Sequence, residues 1–238
     1  MKCNKLKIFR NVFANVLILS TLVLLVSITI LGGTVGVFSS NNVGAIYKGN
    51  TKNQNVSLMI NVYWGTEYVE PMLNILKEND VKATFFVGGS WVNKNPEIFT
   101  KIFESGNEIG NHGYWHKDHK KIDNDKQLSE IALCHKVVKE LSQYEMTLFA
   151  PPSGSYNNAT LEIANSLGYK TIMWSKDTID WRDKDKSLIY SRATKNPSSG
   201  DLILMHPTEK TYEALDDIIK FYKNNNYNLV TVSENIFN

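Results

Sequence analysis

The sequence is poor in cysteine and shows no excess of positive charge. Cys3 and Cys134 are the only two cysteines among 238 residues, and a long uncharged run separates them, so we expect no disulfide within the chain. The 26 lysines and arginines nearly balance the 24 aspartates and glutamates, and no basic stripe is present. These absences exclude a disulfide-stapled scaffold and predict that nucleic acid is not a partner.

Charge is also missing from residues 11–38, where NVFANVLILSTLVLLVSITILGGTVGVF follows the basic segment MKCNKLKIFR. This run is longer than the roughly 20 apolar residues that span a bilayer, and basic flanks favour the cytoplasmic side. We therefore predict a cytoplasmic leader at 1–11, a transmembrane signal anchor at 12–38 and a linker at 39–55, making a single-pass protein of the cell membrane with an extracellular domain. Cleavage after Ala45 is an open alternative that would secrete the domain.

Residues 56–238 alternate strand-like and helix-like segments without an internal repeat. Single helices between strands predict parallel pairing, either in an open doubly wound sheet or in a closed barrel. The predicted strands are VSLMINVYW, VKATFFVG, EIGNHG, MTLFAPP, YKTIMWS, GDLILMH and YNLVTVS. The predicted helices are EYVEPMLNILKEND, NPEIFTKIFESG, DKQLSEIALCHKVVKELSQ, NATLEIANSLG, KSLIYSRATKN and EALDDIIKFYKNN.

Polar residues collect where the predicted strands end, in NVYWG, NHGYWH, APPSG, SKDTIDW and MHPT. Loops that follow parallel strands meet at one face of a sheet, so these five clusters predict a single cleft. His112 and His116 lie four residues apart in the second cluster, and two imidazoles at that interval can bind one metal ion. A catalytic metal site needs a further ligand.

These segments resemble the polysaccharide deacetylase (NodB-homology, carbohydrate esterase) family from about residue 56 to residue 232. VKATFFVGGSWVNKNPEIFTKIFESGNEIGNHGYWH is similar to its histidine box, FAPPSGSYN to its arginine and proline motif, MWSKDTIDW to its aspartate and tryptophan motif, and GDLILMH to its closing histidine motif. The resemblance implies an α/β domain folded as a distorted (β/α) barrel. The chain looks closest to sporulation-linked, membrane-anchored members whose first motif is altered.

The family resemblance implies hydrolysis of an N-acetyl group on an amino sugar with the help of a divalent metal, often zinc. His112 and His116 match the metal-binding histidines. His206 matches the general acid that protonates the departing amine. Asp177 and Asp180 both match the carboxylate that polarises this histidine, and the sequence does not separate them.

Three further positions match the parts of the family's site that hold the sugar. Backbone N–H groups around Ser153 would face the developing oxyanion. Tyr156 and Trp181 would form part of the sugar-binding wall. An exported domain would meet peptidoglycan, so the resemblance implies cell-wall glycan as its partner.

The first motif departs from the family pattern, which has two adjacent aspartates. Asn61 and Val62 occupy those places if strand register decides the alignment, and Tyr63 and Trp64 occupy them if the glycine decides it. Neither choice supplies a carboxylate, and an asparagine amide does not accept a proton at neutral pH. The expected catalytic base is therefore missing, and Asn61 marks a degenerate base position.

A second departure accompanies the first, because Ala150 stands where the family has the arginine that orients the base. Losing both partners of an ion pair is consistent, since a buried charge left alone is costly. Two interpretations follow. Either Glu67 moves into the cleft as ligand or base and preserves a slower deacetylase, or the domain is an inactive, membrane-tethered module that binds glycan or another partner.

Overall fold

The computed structural model of the protein describes residues 15–17, 19–21 and 43–237. Residues 15–17 and 19–21 are helical, and residues 43–237 belong to a separate compact unit. The predicted anchor at 12–38 lies mostly outside the described residues, so it stays a prediction. Within the described ranges, no helix has the length and apolar character needed to cross a bilayer.

The domain is built on one sheet of eight strands, all paired in parallel. The order is β5-β4-β3-β2-β1-β7-β6, and β8 also pairs with the start of β1. The prediction of a parallel α/β sheet is confirmed. The strands are β1 (Asn55–Val62), β2 (Thr84–Val87), β3 (Glu108–Asn111), β4 (Leu148–Phe149), β5 (Lys170–Thr171), β6 (Lys176–Asp177), β7 (Leu202–Met205) and β8 (Asn228–Leu229).

The sheet curls into a half-barrel that does not close, which is consistent with the distorted (β/α) fold that the family resemblance implies. Closure would require β5 to pair with β6, but these strands stand at opposite ends of the order. The free edge beside β5 is covered by an upstream segment instead. There the Ile46 N–H donates to the Thr171 carbonyl at 2.8 Å, and the Met173 N–H donates to the Ile46 carbonyl at 2.7 Å.

Helices form most of the connections between strands. They are α1 (Val69–Glu78), α2 (Gly89–Lys94), α3 (Pro96–Glu104), α4 (Asn124–Ser142), α5 (Asn158–Ser166), α6 (Lys186–Thr194), α7 (Glu209–Asn224) and α8 (Val232–Phe237). Helices α4 to α7 begin at a capping side chain. Asp123 accepts a hydrogen bond from the Lys126 N–H at the start of α4, and Asn157 forms a reciprocal capping box with Thr160 at the start of α5.

The elements differ from the prediction in three places. Helix α2 and strand β6 were not predicted, and YNLVTVS forms only the two-residue strand β8 before α8 begins. The apolar residues of that segment serve both elements, because Val232 is buried on α8 rather than in a strand. Its N–H donates to the Thr84 Oγ1 at 2.8 Å, which docks α8 against β2.

The core surrounds β1, which lies at the centre of the sheet and pairs with three neighbours. From Val56 to Val62 every residue of this strand is buried. A parallel strand covered on both faces is normally apolar throughout, so Asn61 is an unusual residue here. Its amide is 3% exposed and lies near the carboxyl end of the strand.

Candidate active site

A pocket opens at the carboxyl ends of the strands and contains residues from all five predicted polar clusters. Its volume is about 310 Å³. The convergence follows from parallel pairing, which brings the ends of β1, β3, β4, β6 and β7 to one edge. The lining residues are Asn61, Tyr63, His112, His116, Ser153, Trp174, Asp177, Trp181, Leu204 and His206.

His112 follows β3 and is held in one tautomer. Its Nδ1 lies 2.8 Å from the Ala150 carbonyl oxygen, which can only accept, so Nδ1 carries the proton. The lone pair is then on Nε2, which lies 3.4 Å from the Asn61 Nδ2. Burial holds the pKa of His112 well below its usual value, and the nearby His116 lowers it further. A buried, neutral imidazole oriented by a backbone carbonyl is typical of a metal ligand.

His116 lies on the loop after β3 in a left-handed conformation, with φ of 55°. Its ring centroid is 4.9 Å from that of His112. The Tyr63 ring stacks on it, with centroids 3.5 Å apart and planes 13° from parallel. Burial lowers the pKa of His116 to about 4, with a smaller contribution from His206. This imidazole is therefore neutral at neutral pH.

His206 follows β7 and is oriented by Asp180. The His206 Nδ1 lies 2.8 Å from Asp180 Oδ1, and the His206 backbone N–H donates to Asp180 Oδ2 at 2.6 Å. Thr211 on α7 donates its hydroxyl to the same Oδ2 at 2.6 Å. These contacts leave Nε2 as the His206 nitrogen available to a ligand.

Asp177 lines the pocket but forms no hydrogen bond with a histidine among the described residues. Its Oδ1 accepts a hydrogen bond from the Ile179 N–H at 2.8 Å, and burial raises its pKa. The structure thus separates two carboxylates that the sequence left as alternatives. Asp180 contacts His206, while Asp177 closes a turn beside it.

Strand alternation explains which first-motif residues face the pocket. Asn61 and Tyr63 both line it, and Val62 between them is buried in the apolar core. The Asn61 Oδ1 is buried and has no hydrogen-bond partner among the described residues. Burial, and secondarily the Asp180 charge, raise the pKa of the Tyr63 phenol. Neither side chain is therefore anionic at neutral pH.

Glu67 and Tyr156 do not line the pocket. The Glu67 side chain is exposed, and its carboxylate accepts a hydrogen bond from the Thr66 N–H at 2.9 Å. The Tyr156 hydroxyl lies 2.7 Å from that of Tyr47. This geometry does not support the expected role of Glu67 as third ligand or base. It does not support the expected contact of Tyr156 with the sugar either.

Ser153 and Trp181 do line the pocket, and the loop around Ser153 offers one amide. The Gly154 N–H donates to the Pro151 carbonyl at 2.9 Å, and the Ser155 N–H donates to Pro152 at 3.0 Å. Prolines have no N–H, so Ser153 carries the remaining amide proton of this turn. The Trp181 ring is 56% exposed at the rim, where a sugar face can stack on it.

The residues present do not complete a catalytic metal site. Such a site uses three protein ligands, and the loop after β3 offers two imidazoles, while His206 is paired with Asp180 and Asp177 accepts from the Ile179 N–H. Within the part of the chain that the structure describes, no group of three His, Cys, Asp or Glu side chains is placed to hold a metal ion. His112 and His116 would hold a cation only weakly, because two imidazoles are one protein ligand short of a catalytic site.

Sequence reasoning missed Thr211, Trp174 and Leu204. Thr211 reaches Asp180 from the first turn of α7, and no motif joins the two positions. Trp174 and Leu204 enter the pocket from the segment after β5 and from β7. Both lie in apolar runs, where an aromatic or leucine is usually a core residue, so their placement required the tertiary structure.

Fold and site together define a parallel α/β protein with a histidine-lined hydrolase pocket at the strand ends. The family model for polysaccharide deacetylase matches residues 48–172. The chain is 34% identical to the peptidoglycan-N-acetylglucosamine deacetylase of Bacillus cereus, covering 70% of this chain and 81% of that protein. This chain belongs to the polysaccharide deacetylase family, whose enzymes are hydrolases acting on amide bonds and are generally metal-dependent.

Other relatives include proteins with and without assigned activity. The uncharacterized protein YlxY of Bacillus subtilis is 41% identical, covering 79% of this chain, and the chain spans 59% of YlxY. Wild-type BA3943 of Bacillus anthracis, a CE4 family pseudoenzyme, matches with a TM-score of 0.79 and 36% identity over 81% of this chain and 68% of its own. A BA3943 mutant with restored enzymatic activity matches with the same TM-score of 0.79 and 35% identity over 81% and 71%.

Proposed function

We propose that this protein binds N-acetylated cell-wall glycan, peptidoglycan, in the pocket and removes N-acetyl groups at a strongly reduced rate. The observation that carries the proposal is the Asp180–His206 pair facing His112 and His116 across one pocket. Holding a buried carboxylate is costly unless it is hydrogen-bonded, and Asp180 is fully engaged in orienting His206. The names of the relatives, peptidoglycan deacetylases among them, support the same substrate class.

The roles of the residues follow from their contacts. His206, fixed through Nδ1, presents Nε2 to the departing amine as proton donor. The Ser153 N–H faces the amide carbonyl oxygen, and Trp181 stacks on the sugar. Zinc is the ion that we propose for His112 and His116, because imidazole nitrogen suits it.

The reduced rate follows from the missing base. Asn61 stands at the base position, and its amide does not take a proton from water. General base catalysis contributes on the order of a hundredfold to ten-thousandfold, so its loss is a sufficient reason for slow turnover.

Acetate release from peptidoglycan tests the proposal. With zinc supplied, we expect slow release by the native chain and none by His206→Ala, while Lys136→Gln, a surface change on α4, releases acetate at the native rate. Metal content after dialysis is measured in parallel, and two ligands predict substoichiometric zinc. Equal rates of acetate release by the native and His206→Ala proteins would contradict the proposal.

A second candidate function is glycan binding without turnover. The observation that favours it is the contact of Asn61 Nδ2 with His112 Nε2 at 3.4 Å, which occupies the lone pair that a metal needs. Saturable glycan binding together with no acetate release and no bound metal would support this candidate over slow hydrolysis.

A further inference from the structure

A second cavity adjoins the loop that carries the two candidate metal ligands. Its volume is about 560 Å³. Trp115 and Lys117, which flank His116, line this cavity, while His116 lines the active-site pocket. The segment 115–117 therefore separates this cavity from the active-site pocket and contributes side chains to each. We call this cavity the Trp115 groove, lined by Trp115, Lys117, Ile122, Lys126, Ser129 and Glu130.

Trp115 presents an aromatic surface that is held in place. Its side chain is 54% exposed, yet its backbone N–H donates to Glu130 Oε2 at 2.9 Å. Its ring packs edge-on against Tyr114, with centroids 4.4 Å apart. A fixed and exposed indole provides a large stacking face at little cost in conformational entropy.

The charges of the groove are compensated only in part within the described residues. Glu130 is 2% exposed and forms no ion pair among them, but its Oε2 accepts from the backbone N–H groups of Trp115 at 2.9 Å and Lys117 at 3.5 Å. The Lys117 side chain is exposed and has no acidic partner in the described part of the chain, whereas Lys126 is paired with Asp123 at 2.7 Å. The groove thus offers a carboxylate with remaining acceptor capacity at its base and an unpaired ammonium at its rim.

These features select a ligand with an apolar face, hydroxyl donors and a carboxylate. A pyranose ring supplies the face and the hydroxyls, which suit Trp115 and Glu130. A carboxylate substituent would pair with the Lys117 ammonium, which a neutral sugar leaves unpaired. The shared wall places such a sugar next to the pocket that receives the N-acetyl group.

We propose that the Trp115 groove binds a carboxylate-bearing sugar of the same glycan chain whose N-acetylated residue enters the active-site pocket. This inference rests on the proposed function, because it assumes that the pocket takes glycan. It adds a recognition site for acidic sugars outside the pocket, and it assigns binding roles to Trp115 and Lys117.

Titration calorimetry of the full chain tests this site with two probes. One is a tetrasaccharide that alternates N-acetylglucosamine with N-acetylmuramic acid, and the other is the neutral tetramer of N-acetylglucosamine. We expect Trp115→Ala to weaken binding of both by roughly tenfold. We expect Lys117→Gln to weaken only the acidic probe, by about threefold. The matched control Lys136→Gln removes an exposed lysine of α4 outside the groove and leaves both affinities unchanged.

The outcomes separate the groove from the pocket. If Trp181→Ala at the pocket rim weakens binding while Trp115→Ala does not, the groove proposal fails and the proposed function stands. If the native chain binds neither tetrasaccharide, both fail. If Lys117→Gln weakens the two probes equally, the assignment of the carboxylate is wrong. Selective loss of the acidic probe supports it.

Discussion

Asn61 and Ala150 distinguish this pocket from the one that the family resemblance implies. The Asn61 Nδ2 lies 3.4 Å from the His112 Nε2, and Ala150 accepts from the Nδ1 of the same imidazole through its carbonyl oxygen. Both substitutions leave neutral groups in a buried place, where an isolated charge would be costly. The retained His206 and its Asp180 partner form the other half of the site.

Asp180→Asn is expected to lower the free energy of unfolding by about 1–3 kcal/mol, because the new amide N–H₂ faces donors that now lack an acceptor. The donors are the His206 ring and backbone and the Thr211 hydroxyl. Urea unfolding at neutral pH measures the change. Asp177→Asn is the control, since its one backbone contact can be kept, and equal losses in the two variants would contradict the assignment.

His119 predicts a pH-dependent stability. It is fully buried, and neither ring nitrogen meets the geometry of a full hydrogen bond among the described residues. Burial lowers its pKa from 6.5 to about 4, although the nearby Gln127 side chain opposes the shift. The unfolded chain therefore binds more protons between these values, and stability is lost as pH falls from about 6.5 towards 4.

His119→Phe removes this titration and fills the same site beside Phe149. Relative to the native chain, we expect a gain in unfolding free energy that is roughly 2 kcal/mol larger at pH 5 than at pH 7. Urea titrations at the two pH values check it. A difference between the proteins that does not change with pH would show that His119 is not the responsible group.

At the scale of elements, the loop between β3 and α4 decides whether the two histidines meet. Asn111 at the end of β3 accepts a hydrogen bond from the Gly113 N–H at 2.9 Å and donates to the Ile131 carbonyl at 2.8 Å. Glu130 on α4 accepts from the Trp115 N–H at 2.9 Å. These bonds hold the backbone on both sides of His116, whose left-handed conformation needs support.

Glu130→Ala is expected to expose the Trp115 amide, because its buried acceptor is removed. Amide hydrogen exchange at Trp115 should become at least about tenfold faster, which corresponds to roughly 1.4 kcal/mol of local stability. Glu130→Gln keeps an acceptor oxygen and should restore most of the protection. Unchanged exchange in Glu130→Ala would mean that the loop is held by other contacts.

The elements were predictable where their pattern is local. The apolar strands β1, β2 and β7 and the capped helices α4 and α5 follow their sequence signals closely. The segment YNLVTVS was mispredicted because it is divided between a short strand that pairs with β1 and a helix that docks on β2, contacts that local periodicity does not reveal. Helix α2 has six residues and begins at a glycine, which is a weak signal.

In the whole molecule, the sheet brings the carboxyl ends of five strands to one edge. It stays open because its two end strands, β5 and β6, do not pair with each other. Asn61 on β1 and Ala150 after β4 are separated by two strands, β2 and β3, in the sheet order. A catalytic base together with its arginine partner therefore requires simultaneous substitutions on two separate elements, at Asn61 and at Ala150.

The double variant Asn61→Asp plus Ala150→Arg is expected to raise acetate release from peptidoglycan by about a hundredfold, because it supplies a base together with its partner. Ala150→Arg alone should destabilise the fold by about 3 kcal/mol, since it buries an unpaired charge. Asn61→Asp alone should give a smaller gain. A double variant that binds zinc and glycan but gains no rate would refute the view that the base is what the site lacks.

Membrane attachment stays a prediction that a fractionation experiment can check. Removing residues 1–38, which contain the predicted anchor, should move the protein from the membrane fraction to the soluble fraction, because the apolar run is the segment long enough to span. The full chain should resist extraction by alkaline carbonate. A full chain found in the soluble fraction at its full mass would contradict the anchor.

Strand periodicity and residue chemistry are local properties, so the sequence predicts the parallel α/β class, the five polar clusters and the lack of a carboxylate in the first motif. The folded chain was needed to show that Asp180 rather than Asp177 contacts His206, that Glu67 lies outside the pocket, and that the sheet is open. These outcomes depend on how loops from separate strands converge and on which partner each polar atom reaches.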